Sequence, residues 1–217
     1  MKRILVLLKK DITLDISNML IVMLVSIGLP LYTSYAFNQA GLNIGVDFLS
    51  LFLNSFYCFF LAFSKLGIIE NKYRGMAYLT LTPVTRKDIV LSKYFFSAFV
   101  FLISIVGYKI ANFIMSSSQS LTYSSIIIVW TVVALVIGIY IPLEFKVGYE
   151  NVKYYLTAII VVSPFLIGLL GKYTKFDFFK LFMQAGSGWL PILLVFSGII
   201  HVVSYSISVR IFEKKDL

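Results

Sequence analysis

The chain has 217 residues and a formal net charge of +9, and 59% of its residues are hydrophobic whereas only 13% are charged. Soluble domains carry roughly a quarter charged residues, so this composition excludes a water-soluble protein and indicates a single transmembrane domain, residues 1–217. A nucleic-acid partner is also excluded, because the lysines and arginines cluster at the ends of apolar segments instead of forming a basic face on a polar body.

Residues 1–16 form an amphipathic segment. With a step of about 100° per residue, Ile4, Leu7 and Leu8 share one side and the basic residues share the other. The pattern predicts a helix that lies flat on the membrane surface, although Asp11 fits the apolar side poorly. A signal peptide is the alternative, but its apolar core would be too short and no small-residue cleavage site follows.

Six apolar segments follow, each close to the length of about 20 helical residues that a bilayer core requires. Unpaired backbone groups are costly in lipid and the segments lack strand-period alternation, so they are predicted to be helices. The fold class is therefore an all-α integral membrane protein, with a surface helix and six transmembrane helices. The predicted spans are 17–37, 46–69, 94–115, 124–142, 155–170 and 189–209.

The distribution of lysine and arginine predicts the orientation of these spans. If the N-terminus is cytoplasmic, most of the 19 lysines and arginines fall on the inner side, and the outer side holds only Lys172, Lys175 and Lys180. Short cytoplasmic loops carry an excess of these residues. Both termini are therefore expected in the cytoplasm, in a multi-pass protein whose surroundings are membrane lipid.

Residues 70–93 form the longest polar break in the chain. A segment with this many charges lies in water beside the membrane. Thr85 is followed three residues later by Asp88 and then by an apolar run, which is the spacing of a capping box and predicts a helix that starts at Thr85. The alternative is an ordinary loop whose positive charge only orients the protein.

Residues 171–188 form the longest outer connection. They hold several phenylalanines among three lysines, which is too apolar for a solvated loop and too short to span. We expect a short helix that lies in the outer interface or dips into it.

The sequence holds no catalytic constellation. His201 is the single histidine, which excludes a paired-histidine metal site, and the carboxylates lie at or beyond the span ends, which argues against an ion-driven carrier. Lys109 and His201 lie within spans and are candidates for contact with a transported solute. The alternatives are that Lys109 extends its amine to the interface and that His201 makes an interhelical hydrogen bond.

Several residues of the polar break carry a resemblance to a known family. Glu70, Arg74-Gly75, the segment 82–90 (Thr-Pro-Val-Thr-Arg-Lys-Asp-Ile-Val) and Ser92-Lys93-Tyr94 resemble the permease subunit of type-two ABC exporters. That family has a carboxylate, a Leu-Pro-Val-Ser-Arg-like turn and a Ser-Lys-Tyr start of the third span. Thr82 and Thr85 depart from its usual leucine and serine. The second change keeps the capping hydroxyl.

The resemblance implies that residues 70–93 are a cytoplasmic coupling segment. Its helix would dock on a separate ABC ATPase subunit, which binds ATP and magnesium, whereas this chain binds no cofactor and is not itself an enzyme. Two permease chains, identical or related, would enclose one pathway in the bacterial cytoplasmic membrane, and segment 171–188 resembles the family's re-entrant element. The residues expected to couple the chain to the ATPase are Thr85, Arg86, Lys87 and Asp88, with Glu70 and Arg74 bracing the base.

A second cytoplasmic contact is expected at Glu144, Lys146, Gly148 and Glu150, although this stretch could equally be a solvated turn. Small permeases that export amphipathic peptides, such as modulins or bacteriocins, are most similar, so the expected cargo is an amphipathic peptide or another hydrophobic or toxic compound. A non-transporting membrane protein that confers immunity to a peptide toxin is the alternative. A membrane-embedded enzyme is disfavoured, since it needs convergent polar groups at one depth.

Overall fold

The structure is a computed structural model, and it describes residues 2–13, 16–39, 46–72, 84–115, 121–155, 157–158, 162 and 188–214. Throughout these residues the regular elements are helices and no strand is present. The long helices are α1 (Lys2–Thr13), α2 (Ile16–Gln39), α3 (Val46–Lys72), α4 (Arg86–Ile114), α5 (Tyr123–Val147) and α6 (Trp189–Glu213).

Within the described residues, helices α2 to α6 are the five candidate membrane spans, because each is long and apolar enough to cross a bilayer. This confirms the prediction of an all-α membrane protein, and α1 forms the predicted N-terminal helix. The predicted span 155–170 lies mostly outside the described residues, and the predicted outer segment 171–188 does so except for Gly188. Arg74 also lies outside them.

The fifth helix continues through Pro142 to Val147, beyond the predicted end of its span at residue 142. A proline is tolerated inside a membrane helix when neighbouring groups satisfy the freed carbonyl. Gly148 ends the helix with a φ of 87°, a backbone conformation that favours glycine. Helical backbone resumes directly after it, at residues 149–155, so this connection is a glycine break between helices instead of the expected loop.

Helix α4 is the centre of the bundle, because it contacts each of the other five helices named above. Its buried side chains face several directions and include Val90, Phe96, Val100 and Tyr108. Gly107 allows α4 to approach α2 closely, since a Cβ atom at this position would overlap the side chain and backbone of Ser26. Small residues at such crossings permit tight packing between membrane helices.

Polar side chains join the helices inside the bundle. The hydroxyls of Thr33 and Ser50 lie 2.6 Å apart, and the Nδ2 of Asn54 donates to the carbonyl of Ser104 at 3.0 Å. The hydroxyl of Ser55 also pairs with that of Ser104. These bonds link α2 to α3 and α3 to α4 in an interior where an unpaired polar group would be costly.

Helices α5 and α6 run in the same direction. The hydroxyl of Ser204 donates to the carbonyl of Gly138, and further along both helices the rings of Phe145 and Phe212 lie 4.9 Å apart. Both helices therefore end at one level of the bundle. This level, where α3, α5 and α6 end and α4 begins, is called the basal end below.

Candidate functional site at the start of α4

Helix α4 begins at the basal end with a side-chain cap. Thr85 has extended backbone, and its hydroxyl oxygen accepts a hydrogen bond from the amide of Asp88 at 3.2 Å. The same hydroxyl donates to the carboxylate of Asp88 at 2.8 Å, and a carboxylate in the first turn also suits the helix dipole. The capping pattern in the sequence thus predicted this helix start correctly.

Arg86 is engaged within its own chain. Its guanidinium donates hydrogen bonds to the carbonyls of Phe212 and Glu213, which are among the carbonyls left without partners where a helix ends. Its neighbour Lys87 is exposed and Asp88 is half-buried. Of the charged residues in this turn, Lys87 presents the most accessible side chain.

Behind this turn lies a buried group of charges, called the ion cluster and formed by Lys10, Asp11, Glu70, Lys93 and Glu144. The ammonium of Lys93 lies 2.7 Å from the carboxylate of Glu70, and the ammonium of Lys10 lies 2.9 Å from Asp11 and 3.5 Å from Glu70. Lys93 and Asp11 are each 1% exposed. Charges so deeply buried persist only when they are paired.

Glu144 enters the ion cluster from α5. It is 6% exposed and interacts electrostatically with Lys93, Glu70 and Asp11. Among the residues that the structure describes, its Oε2 atom has no hydrogen-bond partner, and neither does the hydroxyl of Tyr140 one turn earlier. Glu144 therefore faces the interior of the bundle instead of the surface.

The other residues of the expected second contact lie nearer the surface. Lys146 and Glu150 are exposed and Gly148 is half-buried. Glu150 accepts a hydrogen bond of 2.9 Å from the side chain of Asn71 in the last turn of α3. Next to Gly148, the ring of Tyr149 packs on Gly67, and burial, together with the nearby carboxylate of Glu144, raises the pKa of the Tyr149 hydroxyl.

The two residues expected along a solute path are not brought together. Lys109 is exposed, whereas the ring of His201 stacks on Trp130 with 5.3 Å between the centroids. The Nδ1 atom of His201 lies 2.8 Å from the carbonyl of Ser197 in its own helix. His201 contacts Tyr94, and Lys109 lies about four turns further along α4, so the two residues are at different levels.

Comparison with known families gives a match over nearly the whole chain. A model described as "ABC-2 family transporter protein" matches residues 6–213. The chain belongs to the ABC-2 transporter family. An ABC-2 chain of this kind is the permease subunit of an ABC transporter, a multi-pass protein of the cell membrane, and family membership implies an ABC ATPase as its partner. No match was found among the curated proteins or the solved structures.

The sequence of this ABC-2 permease does not reveal the roles of Lys93, Asp11 and Tyr94. The hydroxyl of Tyr94 lies 2.6 Å from that of Ser204 and 3.2 Å from that of Ser208, which links α4 to α6. One signal was present: Asp11 interrupts the apolar side of α1, and a charge on a face that packs in an apolar interior needs a partner. The sequence pattern does not show which residue that partner is.

Proposed function

We propose that this chain is the permease subunit of an ATP-driven exporter, and that a separate ABC ATPase moves it through α4. The observation that carries the proposal is the position of α4, which contacts each of the other five long helices and begins with a capped turn at the basal end. A displacement of this turn by a partner would reach every one of these helices.

The proposed topology has six spans, with both termini and the basal end in the cytoplasm. The parallel course of α5 and α6 supports this count, because the chain must return to the opposite end of the bundle between Val147 and Trp189. The excess of lysine and arginine on that side supports the orientation.

The docking surface for the ATPase is proposed to centre on Lys87, with Thr85 and Asp88 shaping the turn beneath it. Arg86 and Glu70 brace this turn from inside, as their contacts with α6 and Lys93 indicate. The exposed side chains of Lys146 and Glu150 form the proposed second contact, and their place after α5 at the same end of the bundle supports this.

The pathway is proposed to form between two permease chains, identical or related, and to carry an amphipathic peptide or another hydrophobic compound outward. The apolar surface of α6 supports a cargo of this kind. Its exposed side chains include Val195, Phe196, Ile199, Val202 and Val203. Faces of this composition suit lipid, a second chain or an apolar cargo.

The proposal is tested by co-expressing the permease with its cognate ABC ATPase and by purifying the complex. In liposomes, cargo should stimulate ATP hydrolysis and be transported. Lys87→Glu should weaken retention of the ATPase about tenfold, whereas the matched control Lys214→Glu, which makes the same charge change at another exposed site of the basal end, should alter it little. Transport by the permease without any ATPase, or equal retention by both variants, would contradict the proposal.

A further inference from the structure

The ion cluster points to a specific role for one residue that neither the sequence pattern nor the family assigns. We propose that Lys93 is a positioning residue whose buried ammonium is the shared counter-ion of carboxylates from α1, α3 and α5, so that these elements move together with α4. The inference rests on the proposed function, since it describes how motion of α4 spreads through the permease.

The geometry converges on the Lys93 ammonium. It forms an ion pair of 2.7 Å with Glu70 of α3 and attracts Glu144 of α5 and Asp11 of α1. The side chain of Lys93 is 2% exposed, so water screens these attractions weakly. Each carboxylate belongs to a different element, so the charge of Lys93 acts on three neighbours of α4, and it acts through a direct ion pair on one of them, α3.

The ion cluster contains three carboxylates but only one deeply buried cation, so its charge balance depends on Lys93. Asp11, Glu70 and Glu144 supply three carboxylates, and the second cation, Lys10, lies at the rim with a side chain that is 28% exposed. Removal of one carboxylate leaves two for Lys93. Removal of Lys93 leaves three buried carboxylates facing one another, and breaking a buried pair by deleting one partner is costly. The two kinds of substitution should therefore differ strongly in effect.

Helix α1 is joined to this point through its inward face. Leu7 and Asp11, one turn apart, are buried against the bundle, whereas Leu5 and Val6 are 65% and 67% exposed. The helix thus presents an apolar side away from the bundle, suited to the membrane interface. Its buried carboxylate pairs with Lys10 and interacts electrostatically with Lys93. A shift of α4 at this level would draw α1 along the interface.

The position of Lys93 in α4 suits transmission from the docking turn. It lies about two turns beyond Arg86, so a displacement of the first turn reaches it through continuous helix. Its neighbour Tyr94 bonds to Ser204 and Ser208 of α6. Two consecutive residues of α4 therefore contact α6 and α3 directly, and the charge of Lys93 also attracts the carboxylates of α1 and α5.

The test uses the complete complex of permease and ABC ATPase in liposomes and measures how much of a fluorescently labelled amphipathic helical peptide is transported per ATP hydrolysed. Lys93→Met should retain the ATPase, because the exposed side chain of Lys87 that centres the docking surface is unchanged, but should lower this coupling ratio about tenfold. Adding Glu70→Gln to Lys93→Met removes one of the repelling carboxylates and should raise the yield of folded complex without restoring the ratio, because no ammonium then joins α4 to its neighbours. The control Lys65→Met changes an exposed lysine of α3 and should leave the ratio unchanged.

The outcomes separate this inference from the proposed function. If the wild-type permease retains no ATPase, the proposed function fails, and the role of Lys93 in coupling fails with it. If the wild-type complex is coupled and Lys93→Met is equally coupled, the role of Lys93 is overturned. Should Lys93→Met fail to fold, the double variant decides, since a charge-balancing role requires it to yield more folded complex than the single variant, and equal loss in both overturns the inference.

Discussion

The guanidinium of Arg86 lies over the ring of Phe212, with 5.5 Å between the guanidinium carbon and the ring centroid, although 126 residues separate them in the sequence. The same group donates to the carbonyls of Phe212 and Glu213. Because the last carbonyls of a helix lack partners within it, the first turn of α4 completes the last turn of α6.

Arg86→Ala should loosen the end of α6. Loss of the charged donor should lower the free energy of unfolding by about 1.5–3 kcal/mol and speed hydrogen exchange in the last turn of α6, measured by mass spectrometry in detergent. The neighbouring Lys87→Ala removes an exposed side chain and should change stability by less than about 0.5 kcal/mol. Equal exchange in the two variants would show that the contact does not hold α6.

Thr85→Ala should weaken the start of α4. Removal of the capping hydroxyl should cost about 0.5–2 kcal/mol, seen as a lower thermal midpoint, and Thr85→Ser should restore most of it. Thr85→Val is the matched control, because it keeps the branched shape of the side chain without the capping hydroxyl, and it should be as damaging as Thr85→Ala. If Thr85→Val is as stable as Thr85→Ser, the cap is not the cause.

Gly107→Ala should force α2 and α4 apart. The added methyl group would overlap Ser26, including its backbone oxygen, and overpacking of this kind typically costs about 1–3 kcal/mol. Gly28→Ala adds the same methyl group where no atom lies within 4 Å, and should be neutral or slightly stabilising because alanine favours helix. Thermal unfolding of both variants in one detergent gives the comparison, and an undisturbed Gly107→Ala would argue against the close crossing.

Tyr94→Phe should remove the hydrogen bonds to Ser204 and Ser208 while it keeps the ring in place. We expect a loss of about 1 kcal/mol, measured by chemical unfolding in mixed micelles. Tyr32→Phe alters a side chain that is 72% exposed and should have no measurable effect. A fully stable Tyr94→Phe variant would mean that ring packing alone joins α4 to α6.

The sequence was sufficient for features that depend on local pattern. The length of the apolar segments predicted helices at the positions of α2 to α6, and the spacing of Thr85 and Asp88 predicted where α4 begins. The fifth helix continues to Val147, beyond the span end predicted at residue 142, and Pro142 does not break it because a proline is tolerated between packed membrane helices.

Features that depend on distant pairing were not predicted. Glu70 and Lys93 are 23 residues apart, and their neighbour Glu144 lies on another helix. The packing of the helices, and not the local spacing in the sequence, therefore determines which charged side chains pair. For this reason Glu144 was expected at the surface but is buried in the ion cluster. Arg86 was likewise expected to face the ATPase. Its contacts with α6 join residues that are distant in the sequence, so its position in the turn did not predict them.

The three consecutive side chains Ser92, Lys93 and Tyr94 are all buried, and each is turned by about 100° from the one before it. Helix α4 is consequently enclosed around most of its circumference at this level. It cannot roll about its long axis without separating Lys93 from Glu70 or Tyr94 from Ser204. A force applied at Arg86 would therefore tilt the helix or translate it along its axis.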